Sequence, residues 1–545
     1  MKIPQRDFSV SEYKISPAVF VWCFAFVNGL VFHWPLLRYV QSQIELSSSL
    51  GIGVQLVLLS LSCVLMWLLL GFSGLMTTRL IKPLALTMII CNAIALYAID
   101  TYQVILDITM MGNVWKTHSG EAGELFHPKL LVYVSAALLV CWLVVRKVQW
   151  RAQTRLKFLL HFVIAGVLGL GIVFYNASAW LWIDKHSKVV GGLLLPWSYT
   201  LNSLRHFQSQ AQAKRSFEKL PDLSWAEKPE TPITVVLVIG ESARVKNFQL
   251  YGYPRQTNPM LVQRDVLIMP KAKACSTYTR RSLECILSHD PTADDLKFEI
   301  LPNYLHRSGQ VEVIWRTRNW GEPALADFKV LRGKDLSQLC KGPTCLNPDQ
   351  DEALLAGLEQ DISNSEHARQ FIVLHQAGSH GPSYHSKYPA QFAKFMPVCD
   401  SVDLKACSPD SLINAYDNTI VYTDHFLNKL ISVLEQKKNR NIVMMYLSDH
   451  GESLGEGGWY LHGAPEMVAP NEQKDIPFLV WRSPSMANKL TINAKRLDAK
   501  SNDHADKIWQ NGHFQVFHSV VGVLGGRGSV YLSDQDIFNH HGERK

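Results

Sequence analysis

The chain has 545 residues, a formal net charge of +7 and a mean hydropathy of +0.01. That average conceals two unlike parts: residues 1 to about 180 are largely apolar, and the remainder has the composition of a soluble domain. A chain that is soluble throughout is excluded; no nucleic-acid partner is expected, and a monomer is.

Five apolar stretches, near 17–37, 50–71, 81–99, 129–146 and 157–177, approach the roughly 20 residues needed to cross a bilayer. The first carries an internal His33. It lacks a small-residue cleavage site and further spans follow, so a cleaved signal peptide is not expected. Lys2, Arg6 and Lys14 precede the first span, and Arg79 and Lys82 join the second to the third. Arg146, Lys147, Arg151, Arg155 and Lys157 join the fourth to the fifth, whereas loops 38–49 and 100–128 carry only Arg38 and Lys116. The excess of basic residues on one side predicts a cytoplasmic N-terminal tail, with everything after residue 178 outside. The transmembrane part thus covers 1–180. Residues 181–230, most polar over 205–230, read as a linker with helical turns, and 231–545 as an extracytoplasmic catalytic domain.

In that domain several apolar runs end in chemically capable residues. "ITVVLVIGES" runs into Glu241, and "VEVIW" into Arg316, Arg318 and Asn319. "FIVLHQAGSHGPS" runs into His375 and His380, and "NIVMMYLSDHGES" into Asp449 and His450. Continuous Val/Ile/Leu runs suit strands covered on both faces, as in a parallel sheet, and such sheets bind ligands beyond their carboxyl ends.

Glu241, Asp449 and His450, with a hydroxyl from a nearby loop, form a candidate metal set whose oxygen and imidazole donors suit zinc or manganese. Taken singly, each acid reads as a helix N-cap and the histidine as a loop residue; together the metal reading outweighs these. The loop is "ACSTYTRRSLEC", residues 274–285, in which Thr277, Thr279 and Ser282 lie between two cysteines. A threonine hydroxyl is a poor nucleophile until a base or a metal activates it, and a disulfide across the loop would hold it rigid.

Cys23, Cys63, Cys91 and Cys141 fall in apolar spans and read as packing residues. The other six pair closely: Cys275 with Cys285, Cys340 with Cys345, and Cys399 with Cys407. Outside the membrane such pairs suggest disulfides in an oxidising compartment. A zinc knuckle is the alternative, but no pair combines the usual short gap with histidine companions.

"VIGESAR", "CSTYTRRSLEC", "GSHGP", "SDHGESLGE" and "YLHGAP" resemble the phosphoethanolamine transferases that modify lipid A and related cell-envelope glycans. That family includes the mobile colistin-resistance enzymes and belongs to the alkaline phosphatase/sulfatase superfamily. The resemblance implies a five-helix transmembrane domain followed by an α/β sulfatase-like domain with a mainly parallel sheet sandwiched by helices. It implies zinc on Glu241, Thr279, Asp449 and His450, with Thr279 as the nucleophile. His380 and His462 match the histidines that contact the phosphoethanolamine group, and would hold a second zinc. The three cysteine pairs match the family's disulfides, and Asn113, Thr117 and Glu121 match its donor-binding residues. Their four-residue spacing suits one helical face.

The implied reaction takes phosphoethanolamine from phosphatidylethanolamine, through a phosphoethanolamine-threonine, to lipid A or a related lipopolysaccharide. The implied location is the inner membrane with the catalytic domain in the periplasm, and the implied effect is resistance to cationic peptides such as polymyxin. The chain departs from the family at Tyr278, Arg280 and Arg281 around the nucleophile, which favours an anionic acceptor. It departs again at "WRTRNWGEP", which leaves Arg318 or Asn319 for phosphate binding. A membrane-anchored sulfatase or phosphodiesterase is the competing enzyme, although the C/S-x-P-x-R context of a sulfatase is absent around Thr279. A sensor or transporter with a sulfatase-like domain is the non-enzymatic alternative; the complete ligand set and the few buried charges in the spans argue against it.

Overall fold

The computed structural model describes residues 13–45, 47–117, 123, 125–175, 177–213, 218–290, 297–319, 321–341, 345, 347–493 and 511–540. It divides into two compact units, Met1–Ser209 and Gln210–Lys545.

In the first unit the apolar runs form α1 (Pro17–Val31), α2 (Trp34–Gln43), α3 (Ser49–Met76), α4 (Ile81–Tyr102) and α5 (Ile108–Lys116). There follow α6 (Lys129–Lys147), α7 (Arg155–Tyr175), α8 (Ala177–Lys185), α9 (Ser187–Leu193) and α10 (Trp197–Ala213). Ser48 starts α3 by accepting from Gly51 N at 3.0 Å, and the largely apolar helix of 28 residues that follows reaches roughly 40 Å. Among the described residues, four of the five expected spans are single helices long and apolar enough to cross a membrane, and there is a fifth if α1 and α2, bent by 49°, count as one. Pro35 sits in the first turn of α2 and has no N–H with which to continue the α1 ladder, which explains the break.

The histidine noted in the first apolar stretch lies at this break. His33 Nδ1 is 3.3 Å from Asn28 O and its Nε2 is 3.4 Å from Ser62 Oγ. Asn28 Oδ1 accepts from Asn92 Nδ2 at 2.6 Å, and Asn92 Oδ1 accepts from the Tyr199 hydroxyl at 2.9 Å. Polar side chains inside this apolar unit thus satisfy one another across four helices. The cysteines at 23, 63, 91 and 141 are free thiols. Residues 181–230, expected as a linker with helical turns, carry the end of α8, all of α9 and α10, and a short strand that pairs with Gly526–Arg527. The division between the units falls within α10.

In chain order the strands are β1 (Tyr13–Ile15) and β2 (Val148–Trp150), paired in parallel within the first unit, and β3 (Ser224–Trp225), the strand just described. The second unit continues with β4 (Ile233–Gly240), β5 (Val266–Ile268), β6 (Glu312–Thr317), β7 (Lys329–Leu331), β8 (Arg369–His375) and β9 (Asn441–Ser448). A hairpin, β10 (Ser453–Leu454) with β11 (Tyr460–Leu461), precedes β12 (Phe478–Arg482). Seven of these form one sheet in the order β5-β12-β9-β4-β8-β6-β7. β9, β4, β8, β6 and β7 run parallel, while β12 is antiparallel to both β9 and β5. The sheet is therefore mixed and mostly parallel, with one reversed strand, β12, between β5 and β9, which the hydrophobic runs did not announce.

Val235–Ile239, Phe371–Leu374 and Ile442–Leu447 are fully buried, as expected for strands covered on both faces. Register brings the strand ends level: Ile239 is paired with both His375 and Leu447, and Gly240 with Ser448. The segments after β4, β8 and β9 consequently emerge side by side. Helix α11 (Thr279–Leu287) packs against a later helix, Phe514–Val523, and a long helix, α12 (Pro409–Glu435), braces the loops beyond the sheet.

Candidate active site

Glu241 follows β4 directly and Asp449 and His450 follow β9, so neighbouring strands deliver two carboxylates and an imidazole to one place. All three side chains are buried. Thr279 is the first residue of α11, and its Oγ1 lies 3.0 Å from Glu241 Oε2 and 3.3 Å from His450 Nε2. His450 Nε2 is in turn 3.4 Å from Glu241 Oε1 and 3.3 Å from Asp449 Oδ2. His450 Nδ1 lies 2.9 Å from Gly451 O; donation there leaves Nε2 as the ligating nitrogen.

Asp449 Oδ1 accepts from Ser242 N at 3.0 Å and from His450 N at 2.7 Å, whereas the buried Oδ2 has no hydrogen-bond partner among the described residues. Burial, reinforced by the charge of Asp449 and opposed by His450 and His462, raises the Glu241 carboxyl to about 7. Burial likewise raises Asp449, and burial together with His462 lowers His450 to about 4. Two carboxylates forced together out of water call for a cation, and their donor atoms with that of His450 lie within 4.8 Å of one another. The set fits a metal.

Backbone geometry holds these donors in place. Ser242 takes a left-handed conformation, φ 55°, which is uncommon outside glycine. Tyr416 on α12 pins it by donating to Ser242 O at 2.7 Å while accepting from Arg244 N at 3.0 Å. Gly378, φ +50°, passes so close to Glu241 that a Cβ there would lie 2.7 Å from Glu241 O. Ser379 N then donates to that same oxygen at 2.9 Å.

The nucleophile loop is closed by the Cys275–Cys285 bond, and Cys340–Cys345 and Cys399–Cys407 are joined as well. Cys275 N donates to His513 Nδ1 at 3.2 Å, so the other ring nitrogen donates to Ser448 O at 3.0 Å and fastens the loop to the end of β9. Thr277 donates to Ala464 O at 2.7 Å and is thereby committed to structure. Arg280 and Arg281 both face Glu284, at 3.5 and 3.2 Å.

His380 and His462 approach with ring centroids 5.2 Å apart, and donor atoms of Glu241, His380 and His462 form a second group within 4.8 Å. Sequence reasoning assigned no role to Glu452, although it stands in the "SDHGESLGE" stretch. Its Oε2 lies 2.8 Å from His462 Nδ1, and its Oε1 accepts from the Tyr384 hydroxyl at 2.5 Å. Burial alone would lower His462; the Glu452 charge and hydrogen bond, with Glu241 and Asp449, outweigh it and raise His462 to about 9. His380 is held well below its ordinary value by burial and by His462.

Arg318 is directed elsewhere: its guanidinium donates to Pro348 O at 2.9 Å and to Asp349 O at 2.6 Å. The next residue reaches the site instead, Asn319 Nδ2 donating to Glu241 Oε2 at 2.6 Å. In the first unit Asn113 lies in α5 and Thr117 caps that helix, its hydroxyl donating to Asn113 O at 2.9 Å. Glu121 lies outside the described residues.

Asp351 and Glu352, which gave no sequence signal, clamp the loop that carries His380. Asp351 accepts from Ala377 N at 2.8 Å and Gly378 N at 2.9 Å. Glu352 lies 3.0 Å from His425 Nε2 and accepts from Lys429 at 2.8 Å, tying the clamp to α12. The His425 contact, opposed by burial and supported by Lys429, lowers the Glu352 carboxyl from 4.5 to about 2. A depressed folded-state value stabilises at pH above the unfolded value, and that contribution is lost as pH falls from 4.5 towards 2. Glu352→Gln should therefore lower the melting temperature at pH 7, with the deficit closing at acid pH. An equal deficit at pH 3 and pH 7 would refute the linkage.

A mostly parallel α/β sheet with this acid, histidine and threonine cluster at its carboxyl edge, in a chain that also carries membrane-length helices, defines a membrane protein of the sulfatase class. The "Sulfatase" family model matches residues 233–526, and the "Phosphoethanolamine transferase EptA/EptB" model matches 64–211. The phosphoethanolamine transferase EptA of Helicobacter pylori is 36% identical over 95% of this chain and 96% of its own length. EptA of Escherichia coli K12 is 31% identical over 84% of this chain and 85% of its own. The solved structure of the integral membrane lipooligosaccharide phosphoethanolamine transferase A of Neisseria meningitidis superposes with a TM-score of 0.86 at 25% identity, covering 96% of this chain and 99% of that one. The chain belongs to the EptA/EptB phosphoethanolamine transferase family.

Proposed function

We propose that this protein is a zinc-dependent enzyme that transfers phosphoethanolamine from phosphatidylethanolamine to lipid A or a related lipopolysaccharide acceptor. It would work from the inner membrane with its catalytic unit in the periplasm, and the cationic group it adds would mask negative charge against peptides such as polymyxin. The observation that carries this reading is the threonine hydroxyl 3.0 Å from Glu241 and 3.3 Å from His450, at the start of a helix and beside two buried acids. The lipooligosaccharide in the name of the Neisseria relative supports the acceptor class.

Glu241, Asp449, His450 and Thr279 would hold the zinc. When bound, it supplies a positive charge that lowers the pKa of the Thr279 hydroxyl and offsets charge on the phosphoryl oxygens. Thr279 Oγ gives up its proton and bonds to phosphorus as the bond from phosphorus to the diacylglycerol oxygen breaks; that oxygen takes up a proton. In the second step an acceptor oxygen loses its proton and bonds to phosphorus, and Thr279 regains its hydroxyl. His380 and His462 would move these protons, with Glu452, 2.8 Å from His462 Nδ1, fixing the orientation of that ring. In the membrane unit, Asn113, Thr117 and Glu121 would receive the donor headgroup, the glutamate pairing with its ammonium.

Mass spectrometry of lipid A from cells with and without the protein tests the reading. Lipid A carrying phosphoethanolamine only when the protein is present is the expected result. Release of free phosphoethanolamine to water, with unmodified lipid A, would instead define a phosphodiesterase.

A further inference from the structure

At the end of the first unit that its basic residues place in the cytoplasm, the tail and the connection between α6 and α7 pair as β1 and β2. Register sets Tyr13 beside Val148, Lys14 beside Gln149 and Ile15 beside Trp150. Arg151 N extends the ladder by donating to Ile15 O at 2.9 Å. Two strands alone are marginal in water, so the ribbon needs an anchor. Ile15, Val148 and Trp150 supply it by packing on the apolar core of this unit, with the Trp150 ring 5.3 Å from that of Phe20. Lys82 on α4 donates to Val148 O and holds its ammonium 4.9 Å over the Trp150 ring. Ala18 N, in the first turn of α1, donates to Gln153 Oε1 at 3.1 Å. Strand alternation then leaves Lys14, Gln149 and Arg151 exposed on the opposite face. Segments 13–17, 76–84 and 144–158 bring eight lysines and arginines to this end, and no aspartate or glutamate.

We propose that this face binds the headgroup of an anionic phospholipid of the cytoplasmic leaflet, with Lys14 and Arg151 as its cations and the Gln149 amide as a further donor. Position along the chain sets the depth. Lys14 stands three residues before α1 and Arg151 four before α7, so both lie about one turn from an apolar helix, at the level of headgroup phosphates. Trp150, between them on the ribbon, has the amphipathic ring that settles at that level. A basic bias by itself orients the spans and demands no order among the cations. Here a core-anchored ribbon sorts them onto one face, which orientation does not require. An arginine meets a phosphodiester with two parallel N–H donors, and a lysine adds a compact charge. Phosphatidylethanolamine carries an ammonium that cancels its phosphate charge, whereas phosphatidylglycerol carries none, so cations without neighbouring acids favour the second. The face takes no part in the transfer chemistry and is tested apart from the proposed reaction.

The test uses the full-length protein in detergent, with two readouts: the lipids retained in native mass spectra, and the melting temperature as phosphatidylglycerol or phosphatidylethanolamine is titrated in. Wild type should retain phosphatidylglycerol in preference to phosphatidylethanolamine, and its melting temperature should rise with the former, less so at high salt. A basic residue near an anionic lipid surface is worth about a fivefold change in binding, so Lys14→Gln with Arg151→Gln should need roughly 25-fold more phosphatidylglycerol for the same rise. Lys14→Arg with Arg151→Lys keeps both charges and should stay within about threefold of wild type. Arg38→Gln, which removes a cation from α2 and leaves the ribbon intact, should titrate as wild type. Equal retention of the two lipids by wild type overturns the proposal, as does a double glutamine variant that titrates like wild type. A loss as large in the charge-keeping pair or in Arg38→Gln overturns it too, because the effect would then be structural or a matter of net charge. Inorganic phosphate that reproduces the whole rise would make this a free-anion site and overturn the lipid as its occupant.

Discussion

Thr279→Ala is expected to retain metal and to lose transfer by more than about 10³-fold, because no other hydroxyl replaces the attacking oxygen. Glu241, Asp449 and His450 remain to bind the ion, so the loss should not track metal content. Intact-mass measurement after incubation with phosphatidylethanolamine and no acceptor should show phosphoethanolamine on wild type and none on the variant. Thr277 lies two residues away in the same stapled loop, but its hydroxyl is committed to Ala464 O at 2.7 Å. Thr277→Ala should therefore weaken the loop and lower activity only modestly. Transfer at the wild-type rate by Thr279→Ala would remove the nucleophile assignment and, with it, the two-step reaction.

Removing the metal should have the second large effect, on stability as well as on rate. The Glu241 and Asp449 carboxylates are buried side by side, and Asp449 Oδ2 has no hydrogen-bond partner among the described residues. An ion that binds only the folded state adds about 4 kcal/mol when present at a thousand times its dissociation constant. Chelation should lower the melting temperature and cut activity by more than about 10²-fold, and added zinc should restore both. Asp449→Ala should bind substoichiometric metal and gain little stability from added zinc. A melting temperature and a turnover that both ignore chelation would mean that the cluster works as a hydrogen-bonded acid pair.

Much of the architecture was legible before any coordinates. The apolar first part, the parallel strands and the polar residues at their ends follow from periodicity and burial, which act over a few neighbouring residues. A metal-activated threonine was suggested by its place between cysteines and by the acid-histidine pair after β9, whereas the two-step reaction was implied only by the family resemblance. Pro35 is a local signal too, yet it could not say whether α1 and α2 count as one span or as a break. The reversed direction of β12 was equally hidden, since a buried strand has the same composition in either direction.

The division of labour between Arg318 and Asn319 shows where the one-dimensional reading ends. Adjacent residues leaving a strand point to opposite sides, and nothing in "RTRNW" says which side holds the nucleophile. Only the folded chain shows Arg318 on the carbonyls of Pro348 and Asp349 and Asn319 on Glu241. Glu452 behind His462, Tyr384 behind Glu452 and Asp351 behind the His380 loop were silent for the same reason, because each acts on a partner that composition does not link to it. Residue types and strand ends were thus determined by the sequence itself, through burial patterns that repeat every few positions. Which donor meets which acceptor was decided by tertiary structure, because the groups that meet stand 38 positions apart for Glu241 and Thr279 and 207 for Ser242 and Asp449. Only the register of β4 with β8 and β9 brings such distant segments to one edge.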